Sequence, residues 1–199
     1  MKQKKFSISP REIWELLTAW VILSIAFAIL YSQKELSIFL IAFPISMVAV
    51  GLGFALHELG HKYLAQKYGL SAYFKANYQG LFLAVLFSFA GFILVSPGAV
   101  HIYGGQMSEE QHGRIALYGP LMNLLLALGF LLLYLTPLSS IALVSVTAWL
   151  GYSINTWIGL FNLIPTHPFD GADIKKWSMP VYLAMVFLMG ALFILSYLI

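Results

Sequence analysis

The sequence predicts an all-α polytopic membrane protein with five to six transmembrane helices and a short re-entrant or β-strand segment. Of its 199 residues, 60% are hydrophobic and only 10% are charged, whereas about 25% of the residues of an ordinary soluble domain are charged. Several apolar stretches are long enough to cross a bilayer as helices. The chain has no cysteine, which excludes disulfides, thiolate metal sites and cysteine nucleophiles.

Five apolar stretches have the length of a transmembrane helix. They cover residues 13–31, 36–56, 115–135, 141–164 and 179–198. A sixth apolar run, residues 81–95, is shorter and either crosses the membrane or re-enters it. Residues 71–78 and 99–103 are rich in β-formers, and we expect two short strands there. Because the chain has no repeat and no linker, we expect one integral domain, residues 1–199, with its core at about 36–173.

Basic residues near the amino terminus predict the orientation of the chain. Much of the net charge of +3 comes from Lys2, Lys4, Lys5 and Arg11, and positive residues beside the first span favour a cytoplasmic amino terminus. We therefore expect a multi-pass protein of the cell membrane, whose helices contact the lipid bilayer. The sequence predicts no basic surface with aromatic residues between its charges, so it gives no indication of nucleic-acid binding.

The number of crossings decides which residues can meet. With a cytoplasmic amino terminus, the second stretch returns to the cytoplasmic side and ends there at the histidines that follow residue 56. If residues 81–95 re-enter without crossing, Asp170 arrives on the same side as these histidines. If they cross completely, Asp170 lies on the opposite face of the membrane.

The second apolar stretch continues into a motif with three ionisable side chains. This motif is His57-Glu58-Leu59-Gly60-His61. On a helix, His57 and His61 point the same way and can bind one metal ion, and Glu58 can take a proton from a metal-bound water. The pattern is HExxH, the signature of zinc hydrolases. An ionisable side chain inside a membrane helix costs roughly 2.5–3.5 kcal/mol, which favours a functional role here.

A catalytic zinc site usually has three protein ligands and one open position, so a third ligand is needed. Asp170 follows Pro165 and Pro168, which end the preceding helix because proline cannot continue it. Its carboxylate can therefore turn toward a neighbouring helix, although an aspartate there can also serve a turn or a helix amino terminus. Glu109 and Glu110 in a polar loop remain alternative ligands.

Two motifs in order carry a resemblance to a known family. The HExxH motif at the end of an apolar stretch is followed by residues 162–171, NLIPTHPFDG, which match the pattern NxxPxxPxDG at every defined position. Residues 119–123, GPLMN, match a GxxxN element between the two. Over residues 36–173 the chain resembles the site-2 protease family of intramembrane zinc metalloproteases.

The resemblance implies a fold, a cofactor and an activity. It implies that His57, His61 and Asp170 bind one Zn²⁺ per chain and that Glu58 is the general base. It also implies hydrolysis of peptide bonds within or near transmembrane segments of membrane-protein substrates, as in regulated intramembrane proteolysis.

Further polar residues are candidates for contacts with the substrate or with water. Asn162 can hydrogen-bond a developing oxyanion. Asn123 is a second candidate for such a contact, or a polar residue that bonds a neighbouring helix. One of the strands can pair with an unwound substrate segment. A water path can be lined by polar side chains of the fourth apolar stretch, which are Ser153, Asn155, Thr156 and Asn162.

Three other functions are compatible with parts of the sequence. A metal-ion transporter can use the two histidines and Asp170 as a transit site, although transport has little need of Glu58. A membrane metalloprotease of another lineage can use Glu109 or Glu110 as its third ligand. The third is an inactive scaffold, which we rank last because every defined position of the HExxH motif is present.

Overall fold

A computed structural model describes residues 6–93 and 97–198. The basic residues Lys2, Lys4 and Lys5, on which the predicted orientation depends, lie outside the described residues. The chain is mostly helical. Its helices are α1 (Pro10–Ser32), α2 (Leu36–Ser46), α3 (Leu52–Lys67), α4 (Tyr78–Ser88), α5 (Glu109–Tyr134), α6 (Ala142–Asn162), α7 (Asp170–Trp177) and α8 (Met179–Leu195).

The helix that carries the HExxH motif contains a π-helical turn. This turn, Met47–Gly51, joins α2 to α3, so that Leu36–Lys67 is one helix of 32 residues. The Trp20 indole N–H of α1 donates to the Met47 carbonyl oxygen at 2.9 Å. A Cβ atom at Gly51 would lie 1.6 Å from Trp20 Nε1, so the close contact of the indole with the π-helical turn requires glycine.

Three of the described helices are long and apolar enough to cross a membrane. They are Pro10–Ser32, Leu36–Lys67 and Glu109–Tyr134. The predicted stretches 141–164 and 179–198 do form helices, α6 and α8. Helix α6 has 21 residues but is less apolar than these three, and the apolar helix α8 is shorter, with 17 residues. Three such helices are consistent with a membrane protein, and the larger count of five to six stays a prediction.

The two predicted strands are present and pair with each other. β1 (Ser71–Ala76) and β2 (Gly98–Tyr103) form an antiparallel sheet in which Ala76 lies opposite Gly98. The 11-residue helix α4 lies between them and is about 16 Å long, too short for a complete crossing. The chain thus leaves and returns at one end of the sheet. This favours the re-entrant alternative for residues 81–95, although residues 94 and 95 lie outside the described part of the chain.

Acidic side chains of α1 occupy one edge of this sheet. The N–H groups of Phe74 and Ala76 on β1 donate to Glu12 and Glu15 at 2.9 Å each. Glu12 also forms a buried ion pair with Lys62 of α3. A carboxylate at this depth needs such partners, because an unpaired buried charge is very costly. The opposite edge of the sheet is formed by β2.

The packing brings α3 next to the last third of the chain. One hydrophobic cluster joins α1, the π-helical turn, the sheet and α4. A second cluster joins α5, α6, α7 and α8. Helix α5 packs against α3, α6 and α7, so it contacts both the HExxH helix and the helix that begins at Asp170.

Candidate metal centre

The two histidines of α3 point their ring nitrogens at each other. His57 and His61 are four residues apart on the helix, and their rings are nearly perpendicular, with an interplanar angle of 85°. The two Nε2 atoms are 3.1 Å apart. Both side chains are buried, with 5% and 9% of the residue exposed. Two nitrogen ligands are therefore placed beside one point.

Asp170 reaches the same point from the opposite side. Its Oδ2 atom lies 3.3 Å from Nε2 of His57 and 3.3 Å from Nε2 of His61. Asp170 is the first residue of α7, after the proline-containing segment that follows α6. A Cβ atom at Gly171 would lie 2.3 Å from the Leu163 carbonyl oxygen, so this tight approach of α7 to the end of α6 requires glycine.

The three ligand atoms have the spacing of a zinc site. A tetrahedral zinc ion with bonds of about 2.0–2.2 Å holds its ligand atoms about 3.3–3.6 Å apart, close to the three distances observed. Asp170 Oδ2 is buried and has no hydrogen-bond partner among the described residues. A buried carboxylate oxygen requires a partner, and a metal ion held by the three residues would supply it.

The outer nitrogens of both rings are hydrogen-bonded in the way that metal binding requires. His57 Nδ1 lies 2.7 Å from Asn123 Oδ1, and His61 Nδ1 lies 2.8 Å from the Ile115 carbonyl oxygen. Both oxygens can only accept, so each Nδ1 carries the proton. Each Nε2 then has a free lone pair that faces Asp170, which suits a metal ligand.

The charge state of Asp170 also suits a ligand. Burial disfavours the ionised carboxyl, but when no metal is bound, protonation of His61, and to a lesser extent of His57, outweighs this effect through the positive charge of the imidazolium. These charges hold the pKa of Asp170 below its ordinary value. The carboxyl is therefore ionised at neutral pH, as a metal ligand must be.

Glu58 stands beside the ligands and faces the same space. It is 8% exposed, and its carboxylate accepts a hydrogen bond from the backbone of Val100 on β2. It lines a cavity of about 770 Å³ that also contains the faces of His57, His61 and Asp170. The carboxylate can therefore exchange a proton with a small molecule bound at the metal.

The cavity runs between β2 and α6. Gly98, Ala99, Val100 and Ile102 of β2 line the cavity, and so does Asn162 of α6. The Asn162 side-chain amide donates to the Ile158 carbonyl oxygen at 2.9 Å. The position of Asn162 agrees with contact to a bound substrate, whereas its role as an oxyanion donor stays a prediction.

The other asparagines of interest lie behind the ligands. Asn123 is fully buried, and its amide contacts His57, Gly53 and Asn155. Asn155 is also fully buried and bonds the backbone of the π-helical turn. Neither is among the residues that line the cavity. Of the four polar residues predicted to line a water path along α6, Asn162 lines this cavity, whereas Ser153, Asn155 and Thr156 are not among its lining residues. Asn123 contacts His57 instead of the cavity.

The two alternative acidic ligands lie away from the histidines. Glu109 pairs with Lys176 at 3.0 Å, and Glu110 pairs with Arg114 at 2.6 Å. Both carboxylates are more than half exposed. Among the described residues, Asp170 is the acidic residue grouped with the two histidines.

Gly119 of α5 gives the two imidazoles their space, which leads to a prediction. A Cβ atom there would lie 2.4 Å from Cε1 and Nε2 of His61 and 2.7 Å from Cε1 of His57. Overpacking costs about 1–3 kcal/mol, so Gly119→Ala is expected to weaken zinc binding about five- to 150-fold. Competition with a chelator measures this affinity.

Gly129 provides the control for this substitution. It lies on the same helix, and a Cβ atom there would have no neighbouring atom within 4 Å among the described residues. Gly129→Ala should therefore bind zinc as the wild type does. Wild-type affinity in the Gly119→Ala protein would show that the rings have more room than the structure gives them.

The fold and the site together define a class of protein. It is helical, it has helices apolar enough to cross a membrane, and it gathers the residues of an HExxH metal centre with a distant aspartate.

Comparison with known proteins agrees with this class. Over 177 residues the chain is 39% identical to a Methanocaldococcus jannaschii protein that carries the provisional name of zinc metalloprotease, and the match covers 87% of each chain. A second protein of that organism, named a zinc metalloprotease, is 30% identical over 122 residues, which are 61% of this chain and 30% of the relative. No family model and no solved structure matches the chain. The chain belongs to this family of zinc metalloproteases.

Proposed function

We propose that the chain is an intramembrane zinc endopeptidase of the site-2 protease type, which hydrolyses peptide bonds within or near transmembrane segments of membrane proteins. The observation that carries this proposal is the position of the metal centre along its helix. Leu36–Lys67 is apolar enough to cross a membrane, and His57 lies ten residues before its end (67 − 57). His57 thus lies inside this membrane-crossing helix, directly after its apolar residues 36–56, which supports a site within the membrane or at its edge.

The chemistry follows from the residues around the centre. Bound zinc polarises a carbonyl group and lowers the pKa of a bound water to near 7. Glu58 takes the proton of the attacking water and delivers it to the leaving amine. Asn162, which lines the same cavity as Glu58 and Asp170, turns its amide toward the developing oxyanion.

The sheet supplies a binding surface for an extended substrate segment. Glu12 and Glu15 occupy the outer edge of β1, whereas β2 lines the cavity beside Glu58. A substrate helix must unwind before its peptide bond is accessible, and an unwound segment in a membrane needs hydrogen-bond partners. Pairing with the edge of β2 supplies these partners. We also propose that the chain lies in the cell membrane with its amino terminus in the cytoplasm.

Co-expression with tagged single-span membrane proteins tests this function. The wild-type chain should give a shortened product whose new terminus, mapped by mass spectrometry, lies within or next to the apolar segment, and Glu58→Gln should give none. Ile102→Pro should slow cleavage without loss of zinc, since proline is tolerated on edge strands but cannot donate a hydrogen bond. Cleavage confined to the soluble parts of every substrate would contradict the intramembrane proposal.

A further inference from the structure

A chain of buried hydrogen bonds links the metal ligand His57 to the π-helical turn. His57 Nδ1 donates to Asn123 Oδ1 at 2.7 Å, and Asn123 Nδ2 donates to Asn155 Oδ1 at 3.1 Å. Asn155 Nδ2 then donates to the carbonyl oxygens of Ala49, at 3.1 Å, and Gly151, at 2.8 Å. Both asparagines are fully buried. The chain of bonds thus joins α3, α5 and α6 in an apolar interior.

The carbonyl oxygens at the end of this series of hydrogen bonds determine which group donates in each bond. The carbonyl oxygens of Ala49 and Gly151 can only accept, so Asn155 must turn its amide nitrogen toward them. Its Oδ1 then accepts from Asn123, whose Nδ2 also donates to the Gly53 carbonyl oxygen at 3.1 Å. Asn123 therefore presents its oxygen to His57.

We propose that Asn155 is a positioning residue of the metal centre, which acts through Asn123 to keep the proton of His57 on Nδ1 and Nε2 free for zinc. The carbonyl group of Ala49, in the π-helical turn, orients the Asn155 amide. The Asn155 amide in turn orients that of Asn123. If Asn123 turned its NH₂ group toward His57, Nδ1 would have to accept, and the proton would move to the nitrogen that faces Asp170.

The local packing agrees with a role that needs an amide. A Cβ atom at Gly53 would lie 2.5 Å from Asn155 Oδ1, so the HExxH helix has a glycine where this side chain approaches. A purely structural role is the competing explanation, since buried polar residues also join helices within a membrane. A purely structural role predicts that substitutions at Asn155 lower the stability of the fold with or without zinc. It also predicts that their effect on zinc affinity does not depend on whether Asn123 is present.

Zinc affinities of two single variants and their double variant separate these explanations. The probe is zinc alone, competed against a chelator with the full chain in detergent. Loss of an outer partner of a ligand typically costs about 10–100-fold in metal affinity, so Asn155→Leu should weaken zinc binding by that factor. In an Asn123→Leu background, the same substitution should change the affinity by less than about threefold, because coupled residues do not add.

Ser153→Ala is the matched control, because its buried Oγ on the same helix has no hydrogen-bond partner among the described residues. It should bind zinc like the wild type. Asn155→Ser, whose hydroxyl is too short to span both partners, replaces Asn155→Leu if the latter does not fold. The absorption spectrum of the Co²⁺-substituted protein should change with Asn155 variants and not with Ser153→Ala.

Two results would overturn the inference. Folded Asn155 variants with wild-type zinc affinity would show that the amide only joins helices, and fully multiplicative losses in the double variant would show that it does not act through Asn123. The inference rests on the proposed metal site, whose own failure is distinguishable, since the wild type would then bind no zinc.

Discussion

Asp170→Ala is expected to leave the purified protein with far less than one zinc per chain, whereas Glu109→Ala and Glu110→Ala keep the wild-type zinc content. Asp170 Oδ2 lies 3.3 Å from both histidine Nε2 atoms, and a catalytic zinc site usually has three protein ligands. Removing a direct ligand should cost more than the roughly 10–100-fold loss seen when an outer partner is removed. Elemental analysis after dialysis measures the zinc content.

Further variants distinguish a lost ligand from a damaged fold. Asp170→Asn has the shape of the native side chain but lacks its charge, and it should also lose zinc. Glu109 and Glu110 pair with exposed lysine and arginine side chains, and exposed pairs contribute about 0–1 kcal/mol, so their removal should be harmless. Full zinc content in folded Asp170 variants would mean that the third ligand is another residue.

The sequence pattern and the family resemblance together predict which residues the structure brings together at the candidate metal centre. The four-residue spacing of His57 and His61 determines that both lie on one helix face, and Pro165 and Pro168 account for the end of α6 before Asp170. The resemblance to NxxPxxPxDG added the pairing of Asp170 with the histidines, which the polar pattern alone left open between Asp170, Glu109 and Glu110. The structure then brings Asp170 into the group.

The surroundings of the ligands could not be predicted, because they depend on long-range contacts. The π-helical turn lies inside a uniformly apolar run and is bonded by Trp20 and Asn155, which are distant in sequence. Asn123 bonds neighbouring helices, as one of its two predicted roles requires, but its contact with His57 joins residues 66 positions apart. No local pattern distinguishes an amide that orients a ligand from one that joins two helices.

Charges at the amino terminus show a similar limit. The basic residues there predict the orientation of the chain, whereas the sequence alone indicates no role for the acidic residues of α1. In the structure Glu12 is buried, pairs with Lys62 and accepts from the backbone of β1. A buried charge can be predicted from the sequence only when its partner is known, because an unpaired carboxylate at the same place would destabilise the fold.

Glu58→Gln is expected to abolish peptide hydrolysis while the protein keeps its zinc. A positioned general base contributes about 10²–10⁴-fold to the rate, and glutamine has nearly the same shape without a basic oxygen. Glu58 lines the cavity with the ligands but is not one of the grouped residues His57, His61 and Asp170, so zinc content should stay near one per chain. The rate of product formation from a cleaved single-span substrate, in detergent or liposomes, measures the loss.

This substitution also decides between hydrolysis and transport. Movement of a metal ion through a site made of His57, His61 and Asp170 has no step that needs a base beside the ligands. A transporter would therefore keep its zinc uptake into liposomes after Glu58→Gln. If the chain is a protease, neither the wild type nor Glu58→Gln should take up zinc. Uptake by both proteins, with no cleavage by either, would favour the transporter. Cleavage at the wild-type rate by Glu58→Gln would remove Glu58 from the mechanism, because a glutamine amide cannot take the proton of the attacking water.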